Sequence, residues 1–127
     1  MHINDTIAAA HNTAKEKGFW DKKDWNLGEK LMLITSELGE ALEADRTNKK
    51  ANYEEFNKFL RESGKYTSEE YVAAFKANIK DSFQDEMADA VIRIFDLMGK
   101  MGIDMEYHIT HKMNYNATRD KLHGKKY

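Results

Sequence analysis

The chain of 127 residues has no cysteine and no proline. Lacking cysteine, it has no disulfide framework and no thiolate metal site, which suits a reducing compartment. Lacking proline, it has none of the residues that most strongly interrupt helices, and that is the clearest pointer to its architecture. An excess of one charge is missing too. Twenty Lys and Arg face 22 Asp and Glu for a net charge of -2, which argues against non-specific nucleic-acid binding by the chain as a whole. No apolar run approaches the roughly 18 residues that a membrane span needs. The opening stretch MHINDTIAAAHNTAKEKG does not follow the basic-then-apolar order of a signal peptide. These absences together lead us to expect a cytoplasmic protein that engages neither nucleic acid nor membrane.

What is present is charge and helical periodicity. Charged residues make up 33% and apolar residues 41% of the chain, the balance of a well-hydrated globular protein. The length predicts a single domain over 1–127. Strand-like alternation is scarce, while helical spacing recurs throughout. A first helix is expected near residues 3–17, stopped at Gly18. A second is expected from about 27 to 46, with Asn26 as N-cap and Glu29 as its capping-box partner. Asn52 with Glu55 opens a short helix carrying Tyr53, Phe56 and Phe59 or Leu60 on one face. Thr67 with Glu70 opens a longer one, running with or without a break to about Gly99 or Gly102, and Asp104 caps a last helix to about residue 118. The expected fold is all-α, with four main helices and a helical insert over about 47–78.

Acids sit where such helices should be apolar. SELGEALEADR places Glu37 and Glu40 three residues apart, and FQDEMADAVIRIFDLM does the same with Glu86 and Asp89. At about 100° per residue, the apolar arc of the second helix comprises Leu33, Ile34, Leu38, Ala41, Leu42 and Ala44. Glu37 falls inside that arc and Glu40 at its border. On the later helix the arc is Ile79, Phe83, Met87, Ala90, Ile94, Leu97, Met98 and Met101, with Glu86 at its edge and Asp89 one step outward. Carboxylates turned partly inward repel one another and resist desolvation, and a hard divalent cation removes both problems. Mg²⁺ takes oxygen ligands and keeps positions for water and substrate phosphates. Against this stands the commoner use of acidic pairs as a solvated helix face, with local partners such as Asp89 and Arg93 at i, i+4.

The tail HKMNYNATRDKLHGKKY carries five Lys or Arg against one acid. Lys112, Asn116 and Arg119 follow at i, i+4, i+7, a spacing suited to gripping phosphate oxygens, and Asn can hold a sugar hydroxyl or another phosphate oxygen. Acids for a metal and cations for phosphate are what a polyphosphate substrate requires. A basic C-terminal helix favoured by the macrodipole is the simpler account of the same residues. Phe19, Trp20 and Trp25, ahead of the second helix, suit either a stack on a base or a hydrophobic anchor.

With ELGE, then DEMAD, then K-x-x-x-N-x-x-R and HGKK, and with GFWDKK ahead of them, the chain resembles the MazG-like branch of the all-α nucleoside triphosphate pyrophosphohydrolases. The resemblance implies a four-helix MazG-like bundle and cleavage between the α and β phosphates to a nucleoside monophosphate and pyrophosphate. It implies Mg²⁺ held at Glu37, Glu40, Glu86 and Asp89, and assembly as a homodimer or homotetramer. From the chemistry of the side chains, Lys112, Arg119 and Lys125 are expected to stabilise phosphate charge, Asn116 to orient sugar or phosphate, and Trp20 to meet the base. Forty-five residues separate Glu40 from Glu86, more than in compact members, and the excess is the aromatic-rich insert. Two other readings stay open: a related hydrolase of phosphoribosyl-ATP or a modified nucleotide, and a non-catalytic helical interaction module.

Overall fold

Asn26, Asn52, Thr67 and Asp104 each accept a hydrogen bond from the backbone N–H three residues on, and each opens a helix. Such caps satisfy donors that a helix start otherwise leaves bare. The computed structural model describes residues 2–127. Among these residues it is all-helical, with no strand, and its six α-helices are α1 (Ile3–Glu16), α2 (Leu27–Arg46), α3 (Tyr53–Glu62), α4 (Ser68–Asn78), α5 (Phe83–Met101) and α6 (Met105–Ala117). A short 3-10 turn, Lys121–Gly124, follows. At Thr67 the capping box is complete, since the Glu70 side chain also reaches back to the cap backbone. α1 ends just before Gly18, whose φ of +85° suits a residue without Cβ. None of the described helices is long and apolar enough to cross a membrane.

The chain forms two compact units, Met1–Trp25 with Phe95–Tyr127, and Asn26–Ile94. In the first, α1 packs on α6. Asn4 Nδ2 donates to Asp104 Oδ1 at 2.8 Å, and Glu106 Oε1 accepts from the Ile3 N–H at 3.0 Å. Ile7 and Leu97 are buried there. Asp96 Oδ1 lies 2.8 Å from His11 Nδ1 and accepts from Trp20 Nε1 at 2.8 Å.

In the second unit the insert is a closed excursion. Asn52 N–H donates to Asn78 O at 2.8 Å and Phe83 N–H to Lys49 O at 2.9 Å, so the chain returns to where it left. Between these points α3 packs on α4. Phe56 contacts Phe59, Tyr71 and Phe75, and Tyr66 bridges Phe59 and Tyr71. The aromatic faces read from the sequence therefore meet each other.

The sequence left open whether the helix from Thr67 runs unbroken. It breaks over Ile79–Ser82, where Asp81 takes a φ of +61° and Ser82 Oγ accepts from the Asp85 N–H. Ile79 is consequently the C-cap of α4 rather than part of the α5 arc. Of that arc, Ala90 and Leu97 are buried, whereas Phe83, Met87 and Met101 are exposed. On α2 the buried positions are Glu37, Ala41 and Ala44, and Leu38 and Leu42, expected to face inward, are about half exposed.

Candidate functional site

In the second unit, α2 and α5 bring their acids together. One carboxylate oxygen from each of Glu37, Glu40 and Glu86 lies within 4.8 Å of the other two. Glu37 and Glu86 are only 7% and 6% exposed, while Glu40 faces solvent. The local reason lies in helix geometry. Glu37 shares its face of α2 with the buried Ala41 and Ala44, and Glu86 shares its face of α5 with the buried Ala90.

Burial pushes the Glu86 carboxyl up to about 7, and a hydrogen bond with Glu40 and the charges of Glu40, Asp89 and Glu37 add to the effect. Asp89 is exposed, and its carboxyl is also raised, by desolvation first and then by Asp85 and Glu37, against a lowering influence from Arg93.

Arg93 is the cation of the cluster. The spacing suggested Asp89 as its partner, but its Nε lies 2.5 Å from Glu37 Oε1, across the gap between α5 and α2. A buried carboxylate is costly without a partner, which makes Glu37 the stronger attractor. Three carboxylates thus gather between α2 and α5, with Arg93 paired to Glu37 and acting on Asp89. Their hard oxygens, two of the three on buried residues, are a donor set that could hold a metal ion.

The other residues that the sequence marked as candidates lie in the first unit. Lys112 Nζ stands 5.1 Å from the centroid of the Tyr115 ring and the Arg119 guanidinium 5.5 Å, so the two cations share one neighbour. Arg119 lies just past the end of α6 and donates from Nη2 to His123 O at 3.1 Å. Asn116 Oδ1 is buried with no hydrogen-bond partner among the described residues. Lys125 follows the 3-10 turn, exposed. Trp20 packs edge-on against His11 and Trp25, with Lys100 Nζ 5.2 Å from the centroid of its ring. Its bond to Asp96 makes it an anchor of this unit.

Sequence reasoning missed the Arg93–Glu37 pair, the influence of Asp85 on Asp89, and the His11–Asp96–Trp20 set. Only the Asp85–Asp89 spacing of i, i+4 was visible in the sequence, since the other two sets join separate segments through packing. No family model matches the chain, and no curated protein or solved structure matches it either.

Proposed function

We propose that the chain is a Mg²⁺-dependent nucleoside triphosphate pyrophosphohydrolase that converts NTP or dNTP to the monophosphate and pyrophosphate. The observation that carries this reading is the approach of Glu37, Glu40 and Glu86 to within 4.8 Å, two of the three buried. Structural acids are seldom placed this way, because desolvation and mutual repulsion both oppose it. The triphosphate and the release of pyrophosphate come from the motif resemblance, with its order of acidic pairs and basic tail.

In this reading Glu37, Glu40, Glu86 and Asp89 hold the metal. When bound, Mg²⁺ neutralises phosphate charge and makes the phosphorus more open to attack. Arg93 holds the Glu37 carboxylate in position through their ion pair. Glu40, the exposed member of the close three, takes the role of accepting a proton from the attacking water in this reading. Lys112, Arg119 and Lys125 supply positive charge for phosphate oxygens, and Asn116, with its unsatisfied oxygen, supplies an acceptor for a sugar hydroxyl.

The test is pyrophosphate release from a panel of ribo- and deoxyribonucleoside triphosphates with Mg²⁺. Turnover of at least one, abolished by chelation, is the expected outcome. Turnover confined to phosphoribosyl-ATP or a modified nucleotide would assign the related activity. No turnover, together with no Mg²⁺-dependent rise in melting temperature, would leave a helical interaction module. The same reading carries a homodimer or homotetramer, supported by the apolar side chains left exposed on α2 and α5.

A further inference from the structure

Beside the acids, the second unit holds an open groove of about 620 Å³ between the insert and α5. Tyr53, Val72 and Phe75 line it from the insert, and Ala88 and Ile92 line it from α5. Building on the pyrophosphohydrolase reading, we infer that this groove takes the base of the nucleotide, so that the insert sets base preference. Three observations lead there.

The groove and the acidic cluster share a residue. Asp89 lines the groove and, one turn along α5 from Glu86, belongs to the acidic group. Around the α5 axis Asp89 stands between Glu86 on one side and Ile92 on the other, at about 100° per residue. A nucleotide with phosphates at the acids therefore reaches the groove across the length of its sugar.

The walls suit a flat aromatic guest. Tyr53, Tyr71 and Phe75 all line the groove, and a base offers π faces that such rings stack on. The Phe56–Tyr71–Phe75 contacts hold two of these rings from behind. The third observation is a fixed polar group. Gln84 lines the groove, and its Oε1 accepts from the Ala51 N–H at 3.0 Å. That bond sets which way the amide faces and leaves Nε2 as a donor that no described residue engages. A donor held in place discriminates between bases by whether their edge offers an acceptor there.

A second copy of the chain is the competing occupant. Lys76, Lys80, Asp81, Asp85 and Asp89 also line the groove, and a lining so rich in charge is unlike the dry centre of a subunit contact.

Two substitutions from opposite walls test the inference: Ala88→Trp and Val72→Trp, both at exposed positions. The readout is the affinity for α,β-imido nucleoside triphosphates relative to inorganic tripolyphosphate, each with Mg²⁺. Both variants should lower that ratio about tenfold and flatten discrimination across the panel. In the unaltered chain, the methyl signals of Val72 and Ile92 should shift with the nucleotide analogue and stay in place with tripolyphosphate. An unchanged ratio in folded variants, or unmoved methyl signals, overturns the groove assignment and leaves pyrophosphate release intact. Dissociation of an oligomer by either substitution assigns the groove to a subunit contact and overturns it as well. A wild-type chain that releases no pyrophosphate from any nucleotide removes both readings.

Discussion

With a carboxyl raised to about 7 from its ordinary 4.5, Glu86 carries a proton into the folded state across neutral pH. Between those values the folded chain binds more protons than the unfolded one, so stability falls as pH rises through the window. Below about 4.5 the penalty is absent, and above 7 it is complete, at on the order of 3 kcal/mol. Asp89, raised in the same direction, adds to the slope. Denaturant titrations without divalent ions should therefore show lower stability at pH 8 than at pH 5.5, and saturating Mg²⁺ should remove the difference. Glu86→Gln keeps the shape and removes the charge. It should melt several degrees above wild type at pH 8 without metal and have no pyrophosphohydrolase activity. A variant with wild-type turnover would take Glu86 out of the site, and one without the stability gain would mean that its charge is already compensated. The sequence put Glu37 inside and Glu86 beside an apolar arc, and both are buried, although Leu38, Leu42, Phe83 and Met87 of those arcs are exposed. Angular position follows from helical period, but which positions a neighbour covers does not. The sequence missed the partner of Arg93. An i, i+4 neighbour is visible in a sequence, but a carboxylate on another helix enters only through packing.

Helix starts were legible for the same local reason: a cap at Asn26, Asn52, Thr67 or Asp104 binds a backbone N–H three residues away. The break at Asp81 was less so. Aspartate tolerates positive φ but does not demand it, and the return of the insert to Lys49 and Asn52 is a long-range bond. Two elements offer tests. Along α5, Gly99 faces α1. A Cβ there would lie 2.6 Å from the Cβ of His11, whose ring is held by Asp96 and has little freedom to yield. Gly99→Ala should cost about 1–3 kcal/mol, read as a lowered melting temperature. An unshifted melt would mean that α1 can move away freely. The insert is the second. Because Phe83 N–H still finds Lys49 O and Ala51 N–H still finds Gln84, replacing residues 53–77 with a short Gly/Ser linker should leave α2 and α5 folded. Mg²⁺ should still raise the melting temperature, while base discrimination should collapse. Full discrimination in that variant would make the insert dispensable for recognition.

For the molecule as a whole, the least legible property was what covers its apolar surface. A hydrophobic pattern shows which residues prefer burial but cannot say whether their own chain or another copy buries them. Leu27, Leu31, Leu38 and Leu42 remain 42–51% exposed, and they fall within about 60° of one another around α2. They make a stripe about 22 Å long at 1.5 Å per residue. Phe83, Met87 and Val91 form a second exposed stripe on α5 at i, i+4, i+8. Single exposed leucines need no explanation, but apolar stripes on two helices are the kind of surface through which copies of a chain associate, and this is the basis of the prediction of assembly. Neither stripe includes a charged residue, which sets them apart from the groove beside Asp89 and matches the low charge of a contact centre. Light scattering at micromolar concentration should therefore give a mass at least twice the 14.8 kDa of one chain. Leu31→Glu with Leu38→Glu places two carboxylates on the α2 stripe without touching a buried side chain. If that stripe is the contact, self-association brings like charges together in a desolvated setting and is disfavoured by several kcal/mol. The double variant should be a folded monomer, with its helical circular dichroism retained. A monomeric wild type would remove the assembly, and a double variant of unchanged oligomeric mass would move the contact from α2 to the Phe83–Val91 stripe or to another surface.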